Sequence, residues 1–120
     1  MTLEEFYQTI EGDYAFMHAS MLRDSSILKY LHKFAQEVYF DKLQSALAAK
    51  DYQMAFEHAH SLKGEAAMLC LGVLNKEVCA LTDALDPKHA AERTEAKINL
   101  LNAKVTEARA KVLEAIAQLD

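Results

Sequence analysis

The chain has 120 residues, of which 52% are hydrophobic and 26% are charged, so it can bury the core of one domain. Three glycines and one proline leave too few turn residues for an all-β fold, and the many Ala and Leu residues favour helix. The net charge of −5 disfavours a nucleic-acid partner, because Lys and Arg are what neutralise phosphates. We therefore expect a single all-α domain over residues 1–120.

The sequence shows no secretory or membrane-spanning pattern. The N-terminus is acidic, and the longest nearly apolar run, residues 66–74, is much shorter than the ~20 residues that cross a bilayer. Cys70 and Cys79 have apolar neighbours and no CxxC spacing, which predicts two buried thiols. These features predict a cytoplasmic protein with no membrane partner.

A capping box and a helix-breaking run predict two short helices at the N-terminus. Thr2 and Glu5 have the spacing of a capping box, which predicts a helix that ends near Ile10. The run Glu11-Gly12-Asp13 then breaks the helix, and a weaker helical stretch is expected over residues 14–22.

The following stretch repeats apolar residues at helical spacing. Asp24-Ser25 provides an N-cap, and the pattern runs from Ile27 to Lys50. We expect one long helix there, with a bend or a brief interruption allowed at the aromatic pair Tyr39-Phe40.

Three boundaries divide the second half of the chain. Asp51 is the N-cap of a predicted helix over residues 52–71, which Gly72 ends as a left-handed cap. A helix over residues 73–85 follows. Asp86 and Pro87 then give the N-cap and first position of a last helix over residues 88–119. Short connections predict an antiparallel up-down-up-down four-helix bundle with short additional N-terminal helices.

The helix over residues 52–71 has an apolar stripe and a histidine on the other side. His60 lies about 135° from the centre of the stripe, so we expect it to be exposed. Gly64 is one turn later on the face of His60, where a glycine costs ~1 kcal/mol relative to alanine. The stripe consists of Ala55, Ala59, Leu62, Ala66 and Leu69.

The run Ala59-His60-Ser61-Leu62-Lys63-Gly64 resembles the H-x-L-K-G signature of histidine-containing phosphotransfer (HPt) domains. The resemblance implies an antiparallel four-helix bundle of about this length. It also implies a phosphoryl carrier, not an enzyme, which takes a phosphoryl group from the aspartyl phosphate of a response-regulator receiver domain and passes it to another receiver. The receiver, possibly part of a hybrid histidine kinase, would supply Mg²⁺ and the acidic pocket, and the carrier would hold no cofactor of its own.

The resemblance also implies roles for single residues. His60 would be phosphorylated, Lys63 would contact phosphoryl oxygens, and Gly64 would leave clearance for the receiver. In the next helix the family often places Gln or Glu beside the histidine ring, where this chain has Thr82, with Asp83 as a second candidate. A second family glycine, ten residues after the histidine, is replaced here by Cys70.

The surface around His60 is the expected docking site. Glu57 and Ala67 lie beside His60 on the helical wheel. Phe56 and Leu71 lie toward the same face, where they would either pack against the adjoining helix or form an apolar rim for the receiver.

The sequence offers two alternatives to phosphotransfer. The chain could be a helical adaptor that binds receivers or other signalling partners without carrying phosphate. A metal-binding bundle is the third candidate, because Glu57 and His60 have Glu-x-x-His spacing. A second Glu-x-x-His is missing, and His58 points about 200° away from His60, so the sequence predicts no metal site.

Overall fold

The structure is a computed structural model that describes residues 1–21 and 23–120, and the regular elements in these residues are all helical. The helices are α1 (Leu3–Thr9), α2 (Tyr14–Met21), α3 (Asp24–Phe34), α4 (Tyr39–Ala48), α5 (Tyr52–Met68), α6 (Gly72–Leu85), a 3₁₀-helix (Pro87–Glu92) and α7 (Glu95–Ala117).

The capping box predicted at the start of α1 is confirmed. The Thr2 hydroxyl accepts a hydrogen bond from the Glu5 N–H at 3.1 Å, and the Glu5 carboxylate accepts one from the Thr2 N–H at 3.0 Å. The second predicted helix is also present as α2, although its expected last residue, Leu22, lies outside the described residues.

The helix expected from Ile27 to Lys50 is not continuous, because the chain breaks into α3 and α4 at residues 35–38, just before the aromatic pair at which an interruption was allowed. Glu37 stabilises the break by accepting a hydrogen bond from the Phe40 N–H at 2.7 Å, at the start of α4. Arg109 of α7 pairs with the same carboxylate at 3.0 Å, and its guanidinium lies 4.3 Å from the centre of the Phe40 ring. A contact from the far end of the sequence therefore stabilises this break.

Two helix starts also differ from the expectation. Asp24 lies inside the first turn of α3, and the N-cap is Arg23, which makes no side-chain cap hydrogen bond. Asp86 does cap the segment that starts at Pro87, but this segment is the short 3₁₀-helix. The last long helix starts later, where the Thr94 hydroxyl accepts a hydrogen bond from the Lys97 N–H at 3.1 Å.

The end of α5 does not use Gly72 as its left-handed cap. Cys70 takes that conformation, with φ of 54°, and the N–H of Leu71 donates to the Ala66 carbonyl at 2.9 Å. This 6→1 hydrogen bond is typical of a Schellman motif. Gly72 instead begins α6 without a positive φ.

Gly72 is required by close packing between two chain turns. A Cβ at Gly72 would overlap the carbonyl group of Glu11, and a Cβ at Gly12 would overlap the carbonyl oxygen of Cys70. The Val73 N–H donates to the Ile10 carbonyl at 2.9 Å across the same junction. The α1–α2 turn is therefore in backbone contact with the α5–α6 turn.

The four longer C-terminal elements pack in chain order. Helix α5 lies against α4 and α6, and α6 lies against α7. The side chains of Gln44 and Asn102 exchange two hydrogen bonds, at 2.9 and 2.8 Å, which link α4 to α7. No helix among the described residues is long and apolar enough to cross a lipid bilayer.

Candidate functional site

Helix α5 has one buried face and one accessible face. Its start is capped as predicted, since the Asp51 carboxylate accepts a hydrogen bond from the Met54 N–H at 3.1 Å. The predicted apolar stripe is confirmed, because all five of its residues are buried: Ala55, Ala59, Leu62, Ala66 and Leu69. This burial fixes the rotation of the helix, so the opposite face points to solvent.

His60 is exposed on that opposite face, as the helical wheel predicts. The Phe56 ring lies beside the imidazole, with 6.2 Å between ring centroids and 27° between the ring planes. Phe56 itself is half-buried and packs against the core. Packing against the adjoining helix and a docking rim were both open for Phe56 from the sequence, and its i,i+4 spacing to His60 is the signal that could have indicated this stack.

Gly64 is exposed one turn after His60, and a Cβ built there would meet no atom within 4 Å. Packing inside the molecule therefore gives no reason for a glycine at this position. The open space lies outside the protein, where another molecule could approach the helix backbone.

The neighbours of His60 on α5 differ in exposure. Glu57 and Ala67 are exposed, and Lys63 is half-buried. The Gln53 amide donates a long hydrogen bond of 3.4 Å to the Glu57 carboxylate. This face therefore presents an imidazole, a carboxylate, small residues and a lysine within about three helical turns.

Leu71 does not belong to this surface, which corrects its prediction as a docking residue. Its side chain is fully buried, because α5 ends at Met68 and the turn at Cys70 directs the chain inward. Met68, which was not predicted from the sequence, is 59% exposed and lies about 80° from His60 around the helix. The sequence signal for Met68 is its position eight residues after His60.

Met68 and Glu65 also line an apolar groove of about 490 Å³ that continues toward α3 and the start of α4. Burial raises the pKa of Glu65 above its ordinary value, and the nearby charge of Glu37 raises it further. Lys33 lines the groove as well.

Thr82 and Asp83 lie on α6 and have local partners. Thr82 is buried, and its hydroxyl donates to the Val78 carbonyl in the same helix at 2.7 Å. Asp83 is exposed, and its carboxylate lies 3.6 Å from the His89 ring. The hydroxyl proton of Thr82 is thus already used, and its role toward His60 stays a prediction.

The prediction of two buried cysteines is wrong. Cys79 is exposed and its thiol lies 3.6 Å from the Asn75 side-chain oxygen, while Cys70 is partly buried. Helix α6 turns Cys79 outward because Leu74, Val78, Leu81 and Leu85 form its buried face. Both are free thiols.

Within residues 1–21 and 23–120, no group of three or more His, Cys, Asp or Glu side chains could hold a metal ion.

A comparison with protein-family models matches residues 3–118 to the Hpt domain. The chain belongs to the Hpt domain family. The match covers essentially the whole chain. Comparison with curated proteins and with solved structures gave no match.

Hpt domains act in histidine phosphotransfer within phosphorelays, where they interact with receiver domains. They are phosphoryl carriers rather than catalysts. In this Hpt domain, His60 is the exposed histidine that lies on α5 beside a glycine with open space around it.

Proposed function

We propose that this Hpt domain accepts a phosphoryl group on His60 from the aspartyl phosphate of a receiver domain and passes it to another receiver. The observation that carries the proposal is the exposed imidazole of His60, one turn from Gly64. A Cβ added at Gly64 would have no atom within 4 Å. The buried stripe of α5 holds the helix in place, so His60 stays accessible to a partner.

The transfer needs little from the carrier beyond a positioned nucleophile. One ring nitrogen of neutral His60 gives its lone pair to phosphorus as the bond from phosphorus to the aspartyl oxygen breaks. The carboxylate leaves with that electron pair, and the second ring nitrogen keeps its proton. Phosphoryl transfer runs mainly on positioning and electrostatics, so the receiver can supply Mg²⁺ and the acidic pocket.

The neighbours of His60 have supporting roles in this proposal. Lys63, one turn away and half-buried, would place its ammonium near phosphoryl oxygens. Gly64 would give the receiver clearance, and the docking surface would comprise Glu57, Gly64, Ala67 and Met68, which are all exposed. Thr82 would lie near the second ring nitrogen, where its hydroxyl oxygen can still accept a hydrogen bond.

The setting of the protein is part of the same proposal. Helices α4 to α7 would form the antiparallel bundle, which the contacts between successive helices and the Gln44–Asn102 link support. The protein would work in the cytoplasm with receivers, including those of hybrid kinases, and without nucleic acid.

The proposal is tested by incubating the protein with purified receiver domains that have been charged by acetyl phosphate. We expect an acid-labile, base-stable label on the wild type and none on His60→Gln. Gly64→Arg should fold normally but lose the label, because its side chain fills the space that the receiver needs. A label that persists in His60→Gln would refute the assignment, and receiver binding without any label would favour the adaptor function.

A further inference from the structure

Phe56 and His60 form the aromatic pair of the site, with 6.2 Å between centroids and 27° between planes. Residues four apart are neighbours on a helix surface, so α5 itself brings the two rings together. We propose that Phe56 is a positioning residue that holds the His60 imidazole in the orientation needed for phosphoryl transfer. This inference rests on the proposed function of His60.

The two side chains differ in how firmly they are held. Phe56 is half-buried and packs against the core, which restricts its ring. His60 is exposed, and exposed side chains exchange rotamers within picoseconds to nanoseconds. Aromatic rings attract at centroid separations of about 4.5–7 Å, so the stack favours one rotamer of His60 over the others.

Stacking suits a nucleophilic histidine because it uses the face of the ring. The lone pair that attacks phosphorus lies in the plane of the imidazole, at its edge. A phenyl ring against the face leaves both nitrogens free, one for phosphorus and one for the proton. The contact also restricts the orientation of the imidazole plane and therefore the direction of the lone pair. Attack on phosphorus requires that this direction be correct.

The same contact favours the product. After transfer the imidazole carries the phosphoryl group on one nitrogen and a proton on the other, so the ring is positively charged. The face of a phenyl ring is electronegative and attracts a cation within about 6 Å. The 6.2 Å separation in the unphosphorylated protein is close to that distance.

Phe56 could instead act as part of the docking surface, and the two roles predict different kinetics. A docking residue changes the affinity for the receiver and leaves transfer from a small phosphodonor unchanged. A positioning residue changes the transfer rate from both donors and leaves the receiver affinity unchanged.

The experiment uses the full chain with two donors, phosphoramidate and a receiver domain charged by acetyl phosphate. Phe56→Leu should lower the rate of His60 labelling about three- to tenfold with both donors, the range expected for losing one aromatic pair. Phe56→Tyr, which keeps the aromatic stack, should be labelled at a rate within about twofold of the wild-type rate. Phe16→Leu is the matched control, since Phe16 is an exposed phenylalanine on α2, and its rate should equal that of the wild type.

Receiver affinity and NMR give the readouts that a merely structural role would not change. The unphosphorylated receiver should bind Phe56→Leu as tightly as it binds the wild type. The three-bond couplings of His60 should indicate one dominant χ1 rotamer in the wild type and averaging in Phe56→Leu. If Phe56→Leu is less stable, the couplings of Phe56→Tyr still test the proposal. This variant keeps the aromatic pair, so its His60 must retain the single rotamer.

Three results would overturn the inference. The first is a wild-type rate with phosphoramidate in Phe56→Leu together with weaker receiver binding, which would make Phe56 a docking residue. The second is averaged couplings in the wild type. The third is a wild type that gains no label at His60 from either donor, which would refute the proposed function as well.

Discussion

Single residues of the site owe their properties to the face of α5 on which they lie. His60 is accessible because its helix buries the opposite stripe, and Gly64 stands where an alanine would fit without any contact inside the protein. Glu65, the next residue, turns toward the groove and is partly buried there. Gly64 and Glu65 are adjacent in the chain but face different surroundings, because one points to solvent and the other into the groove.

Glu65 gives a prediction for the pH dependence of stability. Burial, and then the charge of Glu37, raises its pKa in the folded protein above the ordinary value of 4.5, even though Lys33 lines the same groove. The folded state therefore binds this proton more tightly than the unfolded state. Its contribution to stability is complete below pH 4.5 and is lost as the pH rises through the folded pKa.

Glu65→Gln should consequently raise the Tm at pH 7, because the amide has no proton to lose as the pH rises, and should give no such gain at pH 4. Thermal unfolding followed by circular dichroism at both pH values measures this difference. The same substitution at the exposed Glu114 is the control and should show no comparable pH dependence. A lower Tm for Glu65→Gln at pH 7 would contradict the prediction.

At the scale of elements, the sequence correctly predicted two helix starts at which an N-cap side chain bonds to a backbone N–H three residues later. Thr2 and Asp51 cap α1 and α5 as predicted, because their bonds span only three residues. The sequence allowed an interruption at Tyr39-Phe40 but did not place the break at residues 35–38, where Glu37 is held by Arg109, 72 residues away. Gly72 was misassigned for the same reason, because Glu11, which it packs against, lies in the distant α1–α2 turn.

The glycines of the chain give a stability prediction for these elements. Gly72→Ala should destabilise the protein by ~1–3 kcal/mol or more, because the added Cβ overlaps the Glu11 carbonyl group and separates the two turns. Gly64→Ala should stabilise it by ~0.5–1 kcal/mol, because its Cβ meets nothing and alanine favours helix.

Urea unfolding of both variants measures these free energies of unfolding. The pair is matched, since each variant adds one methyl group to a helical position. Destabilisation by Gly64→Ala, or tolerance of Gly72→Ala, would contradict the described packing.

At the scale of the whole molecule, the proposed docking surface reaches from His60 to the exposed end of α5. A typical interface buries ~800 Å² on each partner, which corresponds to a radius of roughly 16 Å. Met68 lies eight residues after His60, about 12 Å along the helix axis, so a receiver centred on His60 would cover it. Its exposure of 59% leaves the side chain available for an apolar contact.

Met68→Glu should therefore weaken receiver binding tenfold or more, by ~1.4 kcal/mol at least, because it places a carboxylate in an apolar contact. Leu100→Glu is the control, because Leu100 is 60% exposed on α7, and it should bind as the wild type does. Titration of each variant with an unphosphorylated receiver measures both affinities. Equal losses in the two variants would show that the effect is not specific to the docking surface.

The sequence by itself determined the helical class, the buried stripe of α5, the exposure of His60 and the glycine beside it. These features depend on composition and on spacing within one helix, which residues a few positions apart decide. The tertiary structure decided where α3 ends, why Gly72 is a glycine, and that Met68 rather than Leu71 is exposed near His60. The first two outcomes depend on the contact of Glu37 with Arg109 of α7 and on the contact of the α1–α2 turn with the start of α6. Such contacts exist only after residues distant in the chain have packed together.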